Sequence, residues 1–187
     1  MEIKASFSNV ANVLLDWDDL SNNDYCSWRG VSCDNGSFSV VSFGLRGNSL
    51  TGSLSPDMCQ LTGLWYLDLS ENELVGPIPP ILGNLTYTGK LYLHGNKLTG
   101  PIPPELGNMT KLSYLQLNDN ELIGTIPAEL GKLEELFELN VYGNHLNGSI
   151  PLGFQHLESL TYLDLSSNNF SGHIPASVGD LEHLLTL

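Results

Sequence analysis

LYLHGNKLTGPIPPELGN, residues Leu91–Asn108, holds a Leu-x-Leu pair, a lone asparagine, a glycine and an Ile-Pro-Pro corner. Very nearly the same string recurs along the chain. Taking its asparagine as a ruler, the residue stands at Asn48, Asn72, Asn96, Asn120, Asn144 and Asn168, each 24 residues after the last. Four residues beyond each lies a glycine: Gly52, Gly76, Gly100, Gly124, Gly148 and Gly172. Leu54, Ile78, Ile102, Ile126, Ile150 or Ile174 comes next but one. Pro79, Pro103, Pro127, Pro151 and Pro175 follow five of these, and Ser55 takes the place in the first repeat. Self-similarity at a fixed period of this length marks stacked coils that share one core.

A period of 24 falls in the range of leucine-rich repeats. The expected fold is therefore an α/β repeat solenoid of 24-residue leucine-rich repeats, a right-handed superhelix with a concave parallel sheet. In LWYLDLSENEL, Leu64, Leu67, Leu69 and Leu74 are expected to point inward, with Tyr66 and Asp68 outward between them. The asparagine turns the chain, and its side chain can satisfy backbone groups that would otherwise be buried unpaired, so stacked copies make a ladder. Glycine permits the bend that follows. Ile-Pro starts the convex return, where proline fixes the backbone and needs no donor. PPELGNMTKL is expected to hold a short helical turn ending near Gly107.

No repeat can bury its own leucines, so both ends need covering. Residues 1–39 are read as an N-terminal cap, 40–183 as six repeats and 184–187 as the start of an incomplete seventh. In SFSNVANVLLDWDDL, Phe7, Val10, Val13, Leu14 and Trp17 stand at helical spacing, which predicts an amphipathic helix over the first coil. Cys26 and Cys33, with Trp28, would pin it. The close pair fits a disulfide in an oxidising compartment. A zinc site is the rival reading, but the six-residue gap and the lack of a second pair oppose it. Cys59 is expected to be a buried free thiol, with an intermolecular bridge as the alternative.

The chain has 187 residues and a formal net charge of -14. Such a surface repels nucleic acid and anionic membranes and favours a basic protein or peptide as partner. No apolar run approaches the ~20 residues of a membrane span, and MEIKASFSNV lacks the apolar core of a signal peptide. Five glycosylation sequons begin at Asn35, Asn84, Asn108, Asn147 and Asn169, which leans towards the secretory route. No metal or cofactor is expected. His145, His156, His173 and His183 lack metal-ligand spacing. His94 could be paired with Ser70 or Asp119 only across repeats, without a strained nucleophile turn. The glycines follow the repeat rather than a phosphate loop, so the chain is not read as an enzyme.

The Leu-x-Gly-x-Ile-Pro signature resembles the plant class of extracellular leucine-rich repeats, and DWDDLSNNDYCSWRGVSCDN resembles the cap of plant receptor-like kinases. More narrowly, CQLTGLWYLDL, PPILGNLTYTGKLYLHGNKLTGPIPPELGNMTKLSYLQLNDNEL and FQHLESLTYLDLSSNN resemble the ectodomain of the ERECTA family. That resemblance implies binding of secreted cysteine-rich patterning peptides. It also implies a repeat-only partner receptor, TOO MANY MOUTHS, and SERK-type co-receptor kinases. The family has many more repeats, a membrane span and a kinase. Segments after about Val41 resemble repeats from further along, with another jump near Asn144. The chain thus reads as a member shortened by whole repeats in an unbroken register.

The outward strand positions define the expected binding surface. They are Trp65, Tyr66, Asp68, Ser70 and Glu71; Lys90, Tyr92 and His94; Tyr114, Gln116, Asn118 and Asp119; Phe137, Glu138, Asn140 and Tyr142; Tyr162, Asp164 and Ser166. Tyr66, Tyr114 and Tyr162 share one repeat position with Lys90 and Glu138 between them. At about 4.8 Å per strand the column spans roughly 20 Å. Ligand contact is expected from Tyr66, Tyr92, Tyr114, Tyr142 and Tyr162 with Asp68, Asp119, Glu138 and Asp164. Trp65 is expected to be wedged in part beside Leu61. The function expected is a kinase-less extracellular peptide-binding module, in the apoplast or on the outer face of the plasma membrane, acting as a decoy or scaffold. A cell-wall-enzyme inhibitor of the polygalacturonase-inhibitor type is the alternative, and a fragment that binds nothing the third reading.

Overall fold

The computed structural model describes residues 2–8, 13–17 and 24–187. Each repeat contributes one short strand to the concave face: Val40–Gly44, Tyr66–Asp68, Lys90–Tyr92, Tyr114–Gln116, Glu138–Asn140 and Tyr162–Asp164. These six run parallel in one sheet. The cap strand Val31–Cys33 pairs antiparallel with Val40–Gly44 and closes the first edge. At the other edge Thr186 bridges Tyr162 in parallel, so the backbone of a seventh strand is begun.

Strand alternation sets the core. Leu67, Leu91, Leu115, Leu139 and Leu163 have no exposure and stand in register across the sheet. Leu64, Leu69 and Leu74 are equally buried, as their spacing predicts. The asparagines form the expected ladder. Asn96 Nδ2 donates to the carbonyls of Leu69, Leu93 and His94, while its Oδ1 accepts from the amide of Leu74. Asn72, Asn120, Asn144 and Asn168 repeat the pattern. The polar groups of a tight turn are thus paired inside an apolar solenoid.

A second parallel sheet follows the turn, and the sequence reading did not anticipate it. Its strands are Thr51–Ser53, Glu73–Pro77, Lys97–Gly100, Glu121–Gly124, His145–Gly148 and Asn169–Phe170. Each is too short for alternation to show; the four central strands hold one buried leucine apiece (Leu74, Leu98, Leu122 and Leu146), and the two outer ones hold none. Gly100, Gly124 and Gly148 end their strands at positive φ (78° at Gly100), where a Cβ is costly. The return is a one-turn 3₁₀ helix, Pro104–Asn108 in the third coil, capped by Pro103. A Cβ on Gly107 would stand 2.3 Å from the carbonyl oxygen of Glu129, so adjacent coils touch there backbone to backbone. In the first repeat, Ser55 replaces the proline and accepts from the amide of Asp57.

The cap departs from expectation. In place of an amphipathic helix through Trp17, Glu2–Ser6 is helical, Phe7–Ser8 is a strand, and residues 13–16 form turns. Val10 lies outside the described residues. The reason is backbone pairing: Phe7 and Ser8 extend the second sheet antiparallel against Gly52 and Thr51. Gly52 allows it, since a Cβ there would lie 2.2 Å from the carbonyl oxygen of Ser6. Phe7, Leu14 and Trp17 are still buried. Trp17 stacks on Trp28 at 5.2 Å and packs against Phe43. Cys26 and Cys33 are disulfide-bonded; Cys59 is unpaired but half-buried rather than buried, its neighbour Met58 taking the core position. Among the described residues no helix is long and apolar enough to cross a membrane.

Candidate ligand-binding face

Register places the outward side chains in columns. Tyr66, Lys90, Tyr114, Glu138 and Tyr162 are successive partners in one. Asp68, Tyr92, Gln116, Asn140 and Asp164 form the next. A third begins at Arg46 and continues through Ser70, His94, Asn118, Tyr142 and Ser166, at the same 24-residue interval. The structure therefore brings Tyr66, Tyr92, Tyr114, Tyr142, Tyr162, Glu138 and Asp164 into these columns, and exposed Asp119 follows Asn118 of the third, whose side-chain amide donates to it.

Two of the expected contact positions are turned to internal use. Asp68 is only 5% exposed, and Ser70 is fully buried. One carboxylate oxygen of Asp68 accepts from the amide and hydroxyl of Ser70, and the other accepts from the Tyr66 hydroxyl at 2.7 Å. Asp68 thus orients Tyr66 and offers nothing to solvent. The same Tyr-Leu-Asp-Leu-Ser string recurs at 162–166 with the same bonds, Tyr162 to Asp164 at 3.3 Å and Ser166 to Asp164. There the aspartate is more open. Tyr92 and His94 in the coil after Asp68 are bulky, which accounts for its deeper burial.

The central coils are less committed. The hydroxyls of Tyr92, Tyr114 and Tyr142 have no hydrogen-bond partner among the described residues, and Tyr142 is 40% exposed. Tyr92 packs edge-on against Tyr66 at 5.7 Å, Lys90 lies 4.8 Å over the Tyr114 ring, and Tyr114 tilts against Phe137. Gln116 donates to Glu138, and Asn118 to Asp119. The Tyr92 and Tyr114 rings are held while their polar ends stay free, which suits protein contact at low entropic cost.

Electrostatics follow burial. Desolvation pushes the hydroxyls of Tyr66 and Tyr92 up, with Asp68 adding to the rise at Tyr66. At Asp164 burial acts to raise the carboxyl, but hydrogen bonds from Ser166 and Tyr162 prevail and hold it below its ordinary value. Burial lowers His94 against the pull of Asp68, Glu71 and Asp119, with Arg46 adding to the fall. His94 Nε2 lies 3.8 Å from Glu71, and its Nδ1 has no hydrogen-bond partner among the described residues. The surface is acidic overall, with Glu71, Asp119, Glu138 and Asp164 facing Arg46 and Lys90.

Trp65 is 48% exposed and Phe137 44%, on the rim where the concave strands begin. Trp65 is placed over Gly89 of the next coil. Pairing Trp65 with the residue 24 positions on would have revealed the contact. All five sequon asparagines are exposed; Asn84 and Asn108 end 3₁₀ helices on the convex side, and Asn147 and Asn169 lie on the second sheet.

A family model described as the leucine-rich repeat N-terminal domain matches residues 1–34. The leucine-rich repeat model matches residues 63–85, 90–109, 111–133, 135–157 and 159–181. The repeats are similar to those of ERECTA-family receptor kinases. The Arabidopsis thaliana LRR receptor-like serine/threonine-protein kinase ERL1 is 56% identical over 68 residues, 36% of this chain and 7% of the relative. ERECTA of the same plant is 49% identical over 72 residues, 38% of this chain and 7% of the relative. Each match thus spans only a small part of the relative's length. Among solved structures, the Arabidopsis receptor kinase HAESA in complex with the peptide hormone IDA and the co-receptor SERK1 gives a TM-score of 0.91 at 34% identity, covering 99% of this chain and 31% of the other. The Arabidopsis BIR3–SERK2 complex gives 0.81 at 34% identity, covering 91% and 92%.

Proposed function

The chain belongs to the leucine-rich-repeat family, and on that premise we propose that it is an extracellular peptide-binding module of the ERECTA type. It captures a basic, cysteine-rich secreted peptide on its concave face. The observation that carries this reading is the set of free hydroxyls at Tyr92, Tyr114 and Tyr142, the first two on rings fixed by their neighbours, on a face that also carries Asp119, Glu138 and Asp164. Tyr66 and Tyr162 add ring area, their hydroxyls already held by Asp68 and Asp164. Carboxylates steer a basic partner, and tyrosines anchor it. The resemblance to ERECTA-family repeats and to a peptide-bound receptor ectodomain supports the same reading. Acting by itself, this face would hold peptide without passing on a signal, as a decoy or as a scaffold beside full-length receptors. Repeat-only or SERK-type receptors are the partners it would join.

The likeness to a chain of the BIR3–SERK2 complex, over nine-tenths of both chains, favours pairing with another ectodomain as a second reading. Capture from plant extracellular fluid separates the two. A small basic peptide supports the first reading and a receptor ectodomain the second. Recovery of a cell-wall glycosidase instead would overturn both in favour of an inhibitor.

A further inference from the structure

We propose that Trp65 is a preformed platform for a cationic side chain of a basic partner, extending the recognition surface from the concave sheet onto its rim. This rests on the concave-face reading above and adds the residue and contact mode on the rim. A Cβ built on Gly89 would stand 2.3, 2.4 and 2.5 Å from three adjacent carbons of the six-membered ring. Near-equal distances mean that the face of the ring, not its edge, lies across the glycine. The indole is held against backbone on one side, and the residue remains 48% exposed. Gly89 is itself buried beneath it. Coil four has Ser113 at this position, so the repeat backbone tolerates a side chain there, and the glycine serves the ring.

Trp65 differs from the other two tryptophans: Trp17 is buried in the cap, and Trp28 stacks on it. An exposed, immobilised indole offers area at little entropic cost, and tryptophan is the strongest aromatic partner for a cation. Charge selects the occupant. The chain carries 21 acidic against 7 basic residues. Lys90, next to Gly89 in sequence, does not compete, because its ammonium already lies over the Tyr114 ring, the same contact mode made internally.

The test is calorimetric titration with hexa-arginine amide at low salt against wild type, Trp65→Ala, Trp65→Phe and Gly89→Ala. Trp65→Ala is expected to weaken binding about fivefold, with Trp65→Phe in between. Gly89→Ala keeps the indole but lifts it from its seat, and is expected to weaken binding in the same direction. Quenching of tryptophan emission by the peptide should vanish in Trp65→Ala, which a change in overall charge attraction would not produce. Wild-type affinity in Trp65→Ala, or no binding of hexa-arginine to the wild type, overturns the proposal. Loss of cysteine-rich peptide binding in Tyr114→Ala alone would leave the concave-face reading standing without the rim.

Discussion

The side-chain oxygen of Asn120 accepts a hydrogen bond from the amide of Leu98 at 3.0 Å, one coil earlier in the chain. The same side chain donates to the carbonyls of Leu93, Leu117 and Asn118. One residue therefore ties successive turns together where water cannot reach. Asn120→Ala is expected to lower unfolding stability by roughly 2–4 kcal/mol, because several buried backbone groups lose their partners. Asn48 is half-buried and, among the described residues, its side chain donates only to the carbonyl of Arg46, so Asn48→Ala should cost less than about 1 kcal/mol. Urea denaturation of the two variants should show this gap; equal costs would mean that the ladder is not what holds the coils.

Gly107→Ala tests the convex contact. Its backbone needs no positive φ, so any loss comes from pushing coils three and four apart at the Glu129 carbonyl. A cost of about 2 kcal/mol or more is expected in thermal or urea unfolding. Ser167→Gly should move the other way by roughly 0.5–1 kcal/mol, since Ser167 sits at φ 53° where a side chain is strained.

His94 gives a pH signature. Burial holds its folded value below the ordinary 6.5, so the neutral ring is favoured in the fold. The stability this provides is complete above the unfolded value and is lost as pH falls from there through the folded one. His94→Gln should therefore flatten that part of the stability profile. Titration of the ring by NMR should give a midpoint below 6.5; one above it would show that Asp68, Glu71 and Asp119 outweigh burial.

The cap depends on its staple. Reduction of Cys26–Cys33 is expected to cost roughly 2 kcal/mol, for the closed loop is short. Mass spectrometry of the non-reduced, alkylated protein should find a single label, at Cys59. A label on Cys26 or Cys33 would contradict the pairing.

The sequence made some of this legible and hid the rest for physical reasons. The 24-residue period announced the Asn96 ladder and the stacked leucines because each residue does one job in every coil. The second sheet stayed hidden because strands such as Lys97–Gly100 carry one core leucine and are held by pairing across coils. The burial of Asp68 was missed because its partners Tyr66 and Ser70 lie on the same stretch of chain, two residues either side, where alternation reads only in and out. The cap helix failed because Phe7 and Ser8 found a sheet edge at Gly52. The free hydroxyls of Tyr92, Tyr114 and Tyr142 could be placed by period but not told apart from the engaged ones of Tyr66 and Tyr162 without coordinates.

The most direct measurement is calorimetry of this chain with recombinant cysteine-rich peptides of the ERECTA-family class, alone and with the repeat-only partner receptor, repeated with Tyr114→Ala. We expect binding whose association slows as salt rises, since the screening length falls from about 10 Å at 0.1 M to about 3 Å at 1 M. Tyr114→Ala should lose on the order of 1–2 kcal/mol of affinity with the melting temperature nearly unchanged. No binding in either condition, or wild-type affinity in Tyr114→Ala, would contradict the concave face as the site of peptide capture.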